Sequence, residues 1–203
     1  MTGRRLILLR HGRTAWNVIG RGQGHTDVEL DGIGHEQAAA AAPVVAAYQP
    51  SMLWSSDLAR ARQTTAYVAK ETGLDPRFDE RFREFDLGQR TGLTMEEYAE
   101  QFPVEYADFT AGRFTAVPGG ETVEELSRRF GSGLADLLIS LAAGETGLLV
   151  THGAALKVAI MHLLGWPGDH GSGLQGLDNC GWVLLDELHD GGRFRLSAYN
   201  LTA

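Results

Sequence analysis

Residues 6–17 read LILLRHGRTAWN, and residues 148–157 read LLVTHGAALK. In both stretches an apolar run stops abruptly at a histidine followed by a glycine. Short apolar runs bounded by turn residues read as strands buried on both faces, the pattern of a parallel sheet covered by helices. This predicts strands over residues 5–10 and 146–153. A third run of the same kind, SMLWSS at 51–56, ends in Ser55, Ser56 and Asp57. Helical segments separate the strands. An Ala-rich stretch from about Gly34 to Tyr48 reads as helix, with Pro43 expected to kink or reset it. LARARQTTAYVAKETG follows Asp57 as N-cap and stops at Gly73. Residues 94–112 read as short helices around Pro103. After the PGGET turn, Val123, Leu126, Phe130, Leu134, Leu137 and Leu138 fall on one face of a long amphipathic helix. AALKVAIMHLLG reads as a further helix, and GWVLLDEL and RFRLSAYN as closing strands. The alternation predicts an α/β fold: a three-layer sandwich, with a mostly parallel central sheet and helices on both faces.

The 203 residues suit one domain, with a small lid-like segment at about 85–120. The net charge is −8, from 26 acidic against 18 basic residues. That balance argues against nucleic acid or an anionic membrane as partner. MTGRRLILLRHGR has only four apolar residues before it turns charged, so no secretory signal is expected and a cytoplasmic location is the default. Cys180 is the only cysteine and reads as a buried, inert thiol. Four spaced Cys and His ligands for a structural zinc are missing, and no cofactor is expected. A homodimer is left open.

Ligands of open α/β sheets bind beyond the carboxyl ends of the strands. If the three strands are parallel neighbours, Arg10-His11-Gly12, Ser55-Ser56-Asp57 and Thr151-His152-Gly153 converge on one rim. Each glycine would let the chain turn sharply and a ligand approach closely. Neutral imidazole is a nucleophile able to carry a covalent group. Arg10 and Arg13 flank His11, and guanidinium forks match phosphate oxygens. Arg60 falls in the first turn after Asp57 and is expected to reach the same rim, with Arg62 turned to the surface. A leaving group needs a proton donor, for which RFREFDLGQRTG offers Glu84 and Asp86; the residues alone do not choose.

Five segments in this order resemble one family. LRHGRTAWN resembles the Arg-His-Gly signature of the histidine phosphatase superfamily, the phosphoglycerate mutase-like proteins. SSDLARARQTTA, RFREFDLGQRTGLT, PGGET and LLVTHGAALK resemble its later segments. The resemblance implies a phosphatase-type member that hydrolyses small phosphorylated metabolites, sugar or sugar-acid phosphates, through a phosphohistidine. It implies His11 as nucleophile and Glu84 as general acid. Arg10, Arg60 and His152 would surround the phosphoryl oxygens, with Asn17, Gln23 and Thr26 as further contacts. It implies no metal. The chain departs from the family at Arg13, where Glu or Gln is commoner, and at Ala154, where a second Gly is common. Arg13 is therefore expected to influence substrate choice. Mutases of the family carry a long basic insertion before the Pro-Gly-Gly turn. Here residues 95–120 are short and mostly acidic, with Arg113 the only cation, which favours a phosphatase over a mutase. Phe82, Phe85, Tyr106, Phe109 and Phe114 are candidates for an apolar entrance, and Asn179 and Cys180 for positions near the rim.

Overall fold

The computed structural model describes residues 3–167, 173–188 and 192–203. In chain order the elements are β1 (Arg5–Arg10), α1 (Ala15–Val18), α2 (Gly32–Ala46), β2 (Met52–Ser55), α3 (Ala59–Thr72) and β3 (Arg77–Phe78). They continue with α4 (Met95–Gln101), α5 (Pro103–Thr110), α6 (Val123–Ser140), β4 (Thr146–Thr151), α7 (Gly153–Leu164), β5 (Trp182–Glu187) and β6 (Phe194–Leu201). Two single 3₁₀ turns, Glu80–Phe82 and Gly88–Arg90, lie between β3 and α4.

One six-stranded sheet runs in the order β3-β2-β4-β1-β5-β6. The first four strands are mutually parallel; β5 and β6 are antiparallel additions at one edge. In β1 the side chains alternate between two separate cores, as the period of 2 requires. Leu6 and Leu8 pack with Leu126, Phe130 and Leu134 of α6 and Leu156 and Ile160 of α7. Ile7 and Leu9 pack with Ala38, Ala41 and Val45 of α2 and Ala61 and Val68 of α3. The expected three layers are present, and β2, β4 and β1 are adjacent and parallel, so their carboxyl ends share one rim.

Two helix details differ from the sequence reading. Asp57 does not cap α3. Leu58 occupies the N-cap position with no side-chain cap, because the Asp57 carboxylate is taken by Arg83, at 2.7 and 2.5 Å. Pro43 does not divide α2, which runs as one helix from Gly32 to Ala46. Elsewhere the local signals hold. Gly73 ends α3 in the left-handed region, φ 71°, and Thr122 with Glu125 forms a capping box at the start of α6.

The glycines after the histidines serve packing rather than sharp turning, and neither takes a left-handed φ. A Cβ on Gly12 would lie 2.5 Å from the Gly34 carbonyl oxygen, so Gly12 and Gly34 let the end of β1 press against the first turn of α2. A Cβ on Gly153 would lie 3.2 Å from Nε of Arg10. That glycine makes room for the arginine.

Candidate active site

A cavity of about 1010 Å³ opens beyond the carboxyl ends of β1, β2 and β4. His11 sits at its base, delivered by β1 and almost fully buried. Its Nδ1 lies 2.7 Å from the Gly12 carbonyl oxygen. A carbonyl only accepts, so Nδ1 carries the proton and Nε2 keeps its lone pair. The residue's own backbone oxygen accepts from Cys180 N at 3.1 Å and Asn179 Nδ2 at 3.2 Å. The imidazole pKa lies well below the usual histidine value, first because of burial, then because of the Arg60 and Arg10 charges. The ring is thus neutral at neutral pH.

His152, at the end of β4, has its ring centroid 5.2 Å from that of His11. Arg60 Nε donates to its Nδ1 at 3.2 Å, which puts the ring proton on Nε2, 2.8 Å from Ser56 Oγ. Burial and the Arg60 charge hold this pKa, too, well below the ordinary value. Both nitrogens are therefore occupied by protein groups. His152 stands behind Arg60 rather than among the residues that line the cavity.

Arg60 rises from the first turn of α3 and is 1% exposed. Besides His152 it donates to the carbonyls of Thr26 and Gly24, both at 2.9 Å. Burial lowers its pKa to about 10, so it stays a cation at neutral pH. Arg10 donates to the Leu177 carbonyl, while its Nε is buried without a protein partner. Two fixed guanidinium groups beside a neutral imidazole make the floor of the cavity electropositive.

Glu84 completes the floor. Its Oε1 accepts from Ala155 N at 2.8 Å and Phe85 N at 3.0 Å, and its Oε2 accepts from Ala154 N at 3.0 Å. The carboxyl group thus seats on the N-terminus of α7, held in place by three backbone N–H groups, two of them from the first turn of that helix. Position 154 contributes its N–H, so alanine there costs no group. Asp86, the alternative carboxylate, is absent from the cavity lining. It lies 4.0 Å from His25 and accepts from Gly88 N at 2.9 Å.

The other expected contacts divide. Asn17 lines the cavity; its Oδ1 accepts from Thr14 N at 3.0 Å and Asn179 Nδ2 at 3.2 Å. Gln23 lines it too, with Oε1 buried and unpartnered. Thr26 contributes only its carbonyl, to Arg60. Arg13 is not brought to the cavity: it forms an ion pair with Asp31 at 2.8 Å, the N-cap of α2. The reason is local, since Gly34 and Asp31 pack where the chain leaves β1. Arg62 lies over the Phe78 ring at 4.2 Å, away from the site. Among the aromatics, Phe85, Phe109 and Phe114 line the cavity, whereas Phe82 is core and Tyr106 packs on Tyr98. Cys180 is buried, and burial raises its thiol to about 12, which fits an inert role.

Several neighbours were not singled out in the sequence. Arg129 of α6 donates to the carbonyls of Arg81, Arg83 and Glu84 at 2.8 to 3.0 Å and grips Glu121 with two bonds of 2.7 Å. His25 Nε2 donates to the Glu84 carbonyl at 2.8 Å. Arg21, Arg90 and Lys157 line the cavity, so cations reach it from outside residues 95–120, the segment whose single cation favours a phosphatase in the sequence reading. None of these residues carries a cue in the local sequence pattern. Among the described residues no group of three or more His, Cys, Asp or Glu is placed to hold a metal, and no helix is long and apolar enough to cross a membrane.

Known proteins share this fold. A glucosyl-3-phosphoglycerate phosphatase of Mycobacterium tuberculosis is 36% identical, over 100% of this chain and 97% of its own length. A probable phosphoglycerate mutase GpmB of Yersinia pestis is 37% identical over 89% of this chain and 84% of its own. The solved structure of a mycobacterial glucosyl-3-phosphoglycerate phosphatase complexed with VO3 superposes with a TM-score of 0.92 at 35% identity, covering 98% of this chain and 100% of that one. The model of the histidine phosphatase superfamily (branch 1) matches residues 6–202, and the chain belongs to that family.

Proposed function

We propose that the protein is a phosphomonoesterase that hydrolyses small phosphorylated metabolites, sugar or sugar-acid phosphates, through a phosphohistidine on His11. One observation carries this reading: a neutral, buried His11 with Nε2 unprotonated, between two guanidinium groups at the floor of a cavity. The names of the phosphatase relatives support it.

Arg10 and Arg60 neutralise the phosphoryl oxygens, and Asn17 and Gln23 extend the polar floor. His11 Nε2 attacks phosphorus; the N–P bond forms as the ester P–O bond breaks. The Gly12 carbonyl, which accepts from Nδ1–H, steadies the charge that develops on the ring. Glu84, in its protonated form, gives its proton to the departing alcohol. The resulting carboxylate then takes a proton from water as water attacks phosphorus and the P–N bond breaks. His152 holds Arg60 in place. Most of the rate comes from placing fixed charge where the transferring group develops it, and no step calls on a metal or cofactor. We read residues 1–203 as one domain, with residues 85–120 as a lid, acting in the cytoplasm.

A mutase is the second reading, favoured by the extra cations Arg21, Arg90 and Lys157. Incubation with 3-phosphoglycerate separates the two. The phosphatase reading expects inorganic phosphate and glycerate; accumulation of 2-phosphoglycerate with little free phosphate would overturn it.

A further inference from the structure

We infer that His25 is a positioning residue of the reaction: its imidazole holds the backbone of Glu84, the proton donor, in register with Arg60, the cation that meets the phosphoryl group. This rests on the phosphomonoesterase reading and adds to it a residue that never meets the substrate.

Residues 23–26 form a tight turn, closed by a bond from Thr26 N to the Gln23 carbonyl at 2.9 Å. Gly24 takes φ 50° in this turn, a conformation open to glycine at little cost. A Cβ at position 24 would lie 3.1 Å from Thr91 Oγ1 and 3.2 Å from Leu87 N, so the turn also presses on the chain just beyond Asp86. The carbonyls on either side of His25, those of Thr26 and Gly24, accept from Arg60 Nη1 and Nη2, both at 2.9 Å. Two charge-assisted bonds thus tie the turn to the buried guanidinium.

From this fixed turn the imidazole crosses to the loop of Glu84. Its Nε2 donates to the Glu84 carbonyl at 2.8 Å, and its Nδ1 lies 4.0 Å from the Asp86 carboxylate. A carbonyl only accepts, so Nε2 carries the proton. The ring is absent from the cavity lining, so any effect on the reaction passes through Glu84. Three consecutive residues therefore grip both groups that cleave the P–O bond: Gly24 and Thr26 hold the cation, and His25 holds the acid. Arg129 donates to the same Glu84 carbonyl at 2.8 Å, but it also serves the carbonyls of Arg81 and Arg83. Arg129 secures the loop as a whole, whereas His25 ties the acid to the floor of the site. The distinction matters because a proton donor has to stand within hydrogen-bond reach of the departing oxygen, and a misplacement of about 1 Å costs about 100-fold.

The test compares phosphate release from 3-phosphoglycerate and from p-nitrophenyl phosphate. The first expels an alkoxide that has to be protonated, whereas p-nitrophenolate departs as a stable anion. The ratio kcat/KM covers the steps up to loss of the alcohol and leaves out the hydrolysis of phosphohistidine that both esters share. In His25→Leu, kcat/KM on 3-phosphoglycerate is expected to fall about tenfold, a loss about fivefold larger than that on p-nitrophenyl phosphate. His25→Gln, whose amide nitrogen donates at the same reach, should recover most of the loss. His25→Asn, polar but too short to reach the carbonyl, is expected to follow His25→Leu and serves if that variant does not fold. A histidine that merely satisfied a loop carbonyl would not favour one leaving group. An equal loss on the two esters, no loss on either, or a His25→Gln variant as slow as His25→Leu therefore overturns the role. If the parent hydrolyses p-nitrophenyl phosphate but not 3-phosphoglycerate, no proton donor is at work for His25 to place, and the inference falls alone. Release from neither ester by the parent removes the phosphomonoesterase reading and the inference with it.

Discussion

His11 and His152 are chemically the same side chain with opposite tautomers, and the neighbours decide which. The Gly12 carbonyl fixes the His11 proton on Nδ1, and Arg60 fixes that of His152 on Nε2. Ser56 Oγ is the acceptor that the second tautomer needs. Ser56→Ala removes it and leaves a buried N–H unpaired. The expected cost is about tenfold in kcat/KM on p-nitrophenyl phosphate with an unchanged circular dichroism spectrum; unchanged kinetics would show that the ring is held by other means. At this scale the sequence is informative wherever a residue works through its own strand end. His11, Arg10 and His152 are placed at the rim by the strands that precede them. Arg13 shows where that logic fails. Its adjacency to His11 says nothing about Asp31, 18 positions on, which takes its charge.

The loop that carries Glu84 has little regular structure of its own, and two longer elements hold it from either side. The start of α7 receives the carboxylate, and Arg129 of α6 receives the loop carbonyls while Glu121 locks Arg129. Arg129→Leu is expected to lower kcat by about 10 to 100-fold with little change in KM, as a misplaced proton donor slows the chemical step. Arg129→Lys should recover only part, because one ammonium cannot serve three carbonyls and a carboxylate. An equal rise in KM would point to damaged binding instead. The contact between β1 and α2 is as demanding. A Cβ on Gly34 would lie 2.0 Å from the Arg13 carbonyl oxygen. Gly34→Ala is expected to destabilise by about 2–3 kcal/mol in denaturant unfolding; a loss below about 0.5 kcal/mol would mean that the backbone gives way easily. Helices and strands are legible here because their periodicity and caps are local. The Arg83–Asp57 pair, which displaces the cap of α3, spans 26 positions and leaves no trace in local pattern.

For the whole molecule, the sheet order brings three distant strand ends together, and adjacent parallel β2, β4 and β1 follow from buried strands alternating with helices. What composition and spacing conceal is the upper cavity. Arg90 sits in a 3₁₀ turn, Lys157 one turn into α7 and Arg21 before α2, and only the folded chain brings them to the lining of one cavity. The two buried histidines also tie stability to pH. Their folded pKa values lie well below the unfolded value of about 6.5. As pH falls below about 6.5 the unfolded chain takes up protons that the folded one refuses, so their stabilising contribution is present above that pH and lost beneath it. The expected slope is up to about 1.4 kcal/mol per pH unit for each histidine. His11→Ala should make the fall in Tm between pH 7 and 5 shallower, and an unaltered slope would contradict the burial argument. The central claim is that a phosphoryl group passes through His11. The direct measurement is peptide mass spectrometry on enzyme quenched in alkali during turnover of p-nitrophenyl phosphate. The account predicts a phosphoryl adduct on the peptide containing His11, absent from His11→Ala, which should also release phosphate more than about a thousandfold more slowly. Sustained turnover by His11→Ala, or a phosphoryl adduct on a different residue, would contradict it.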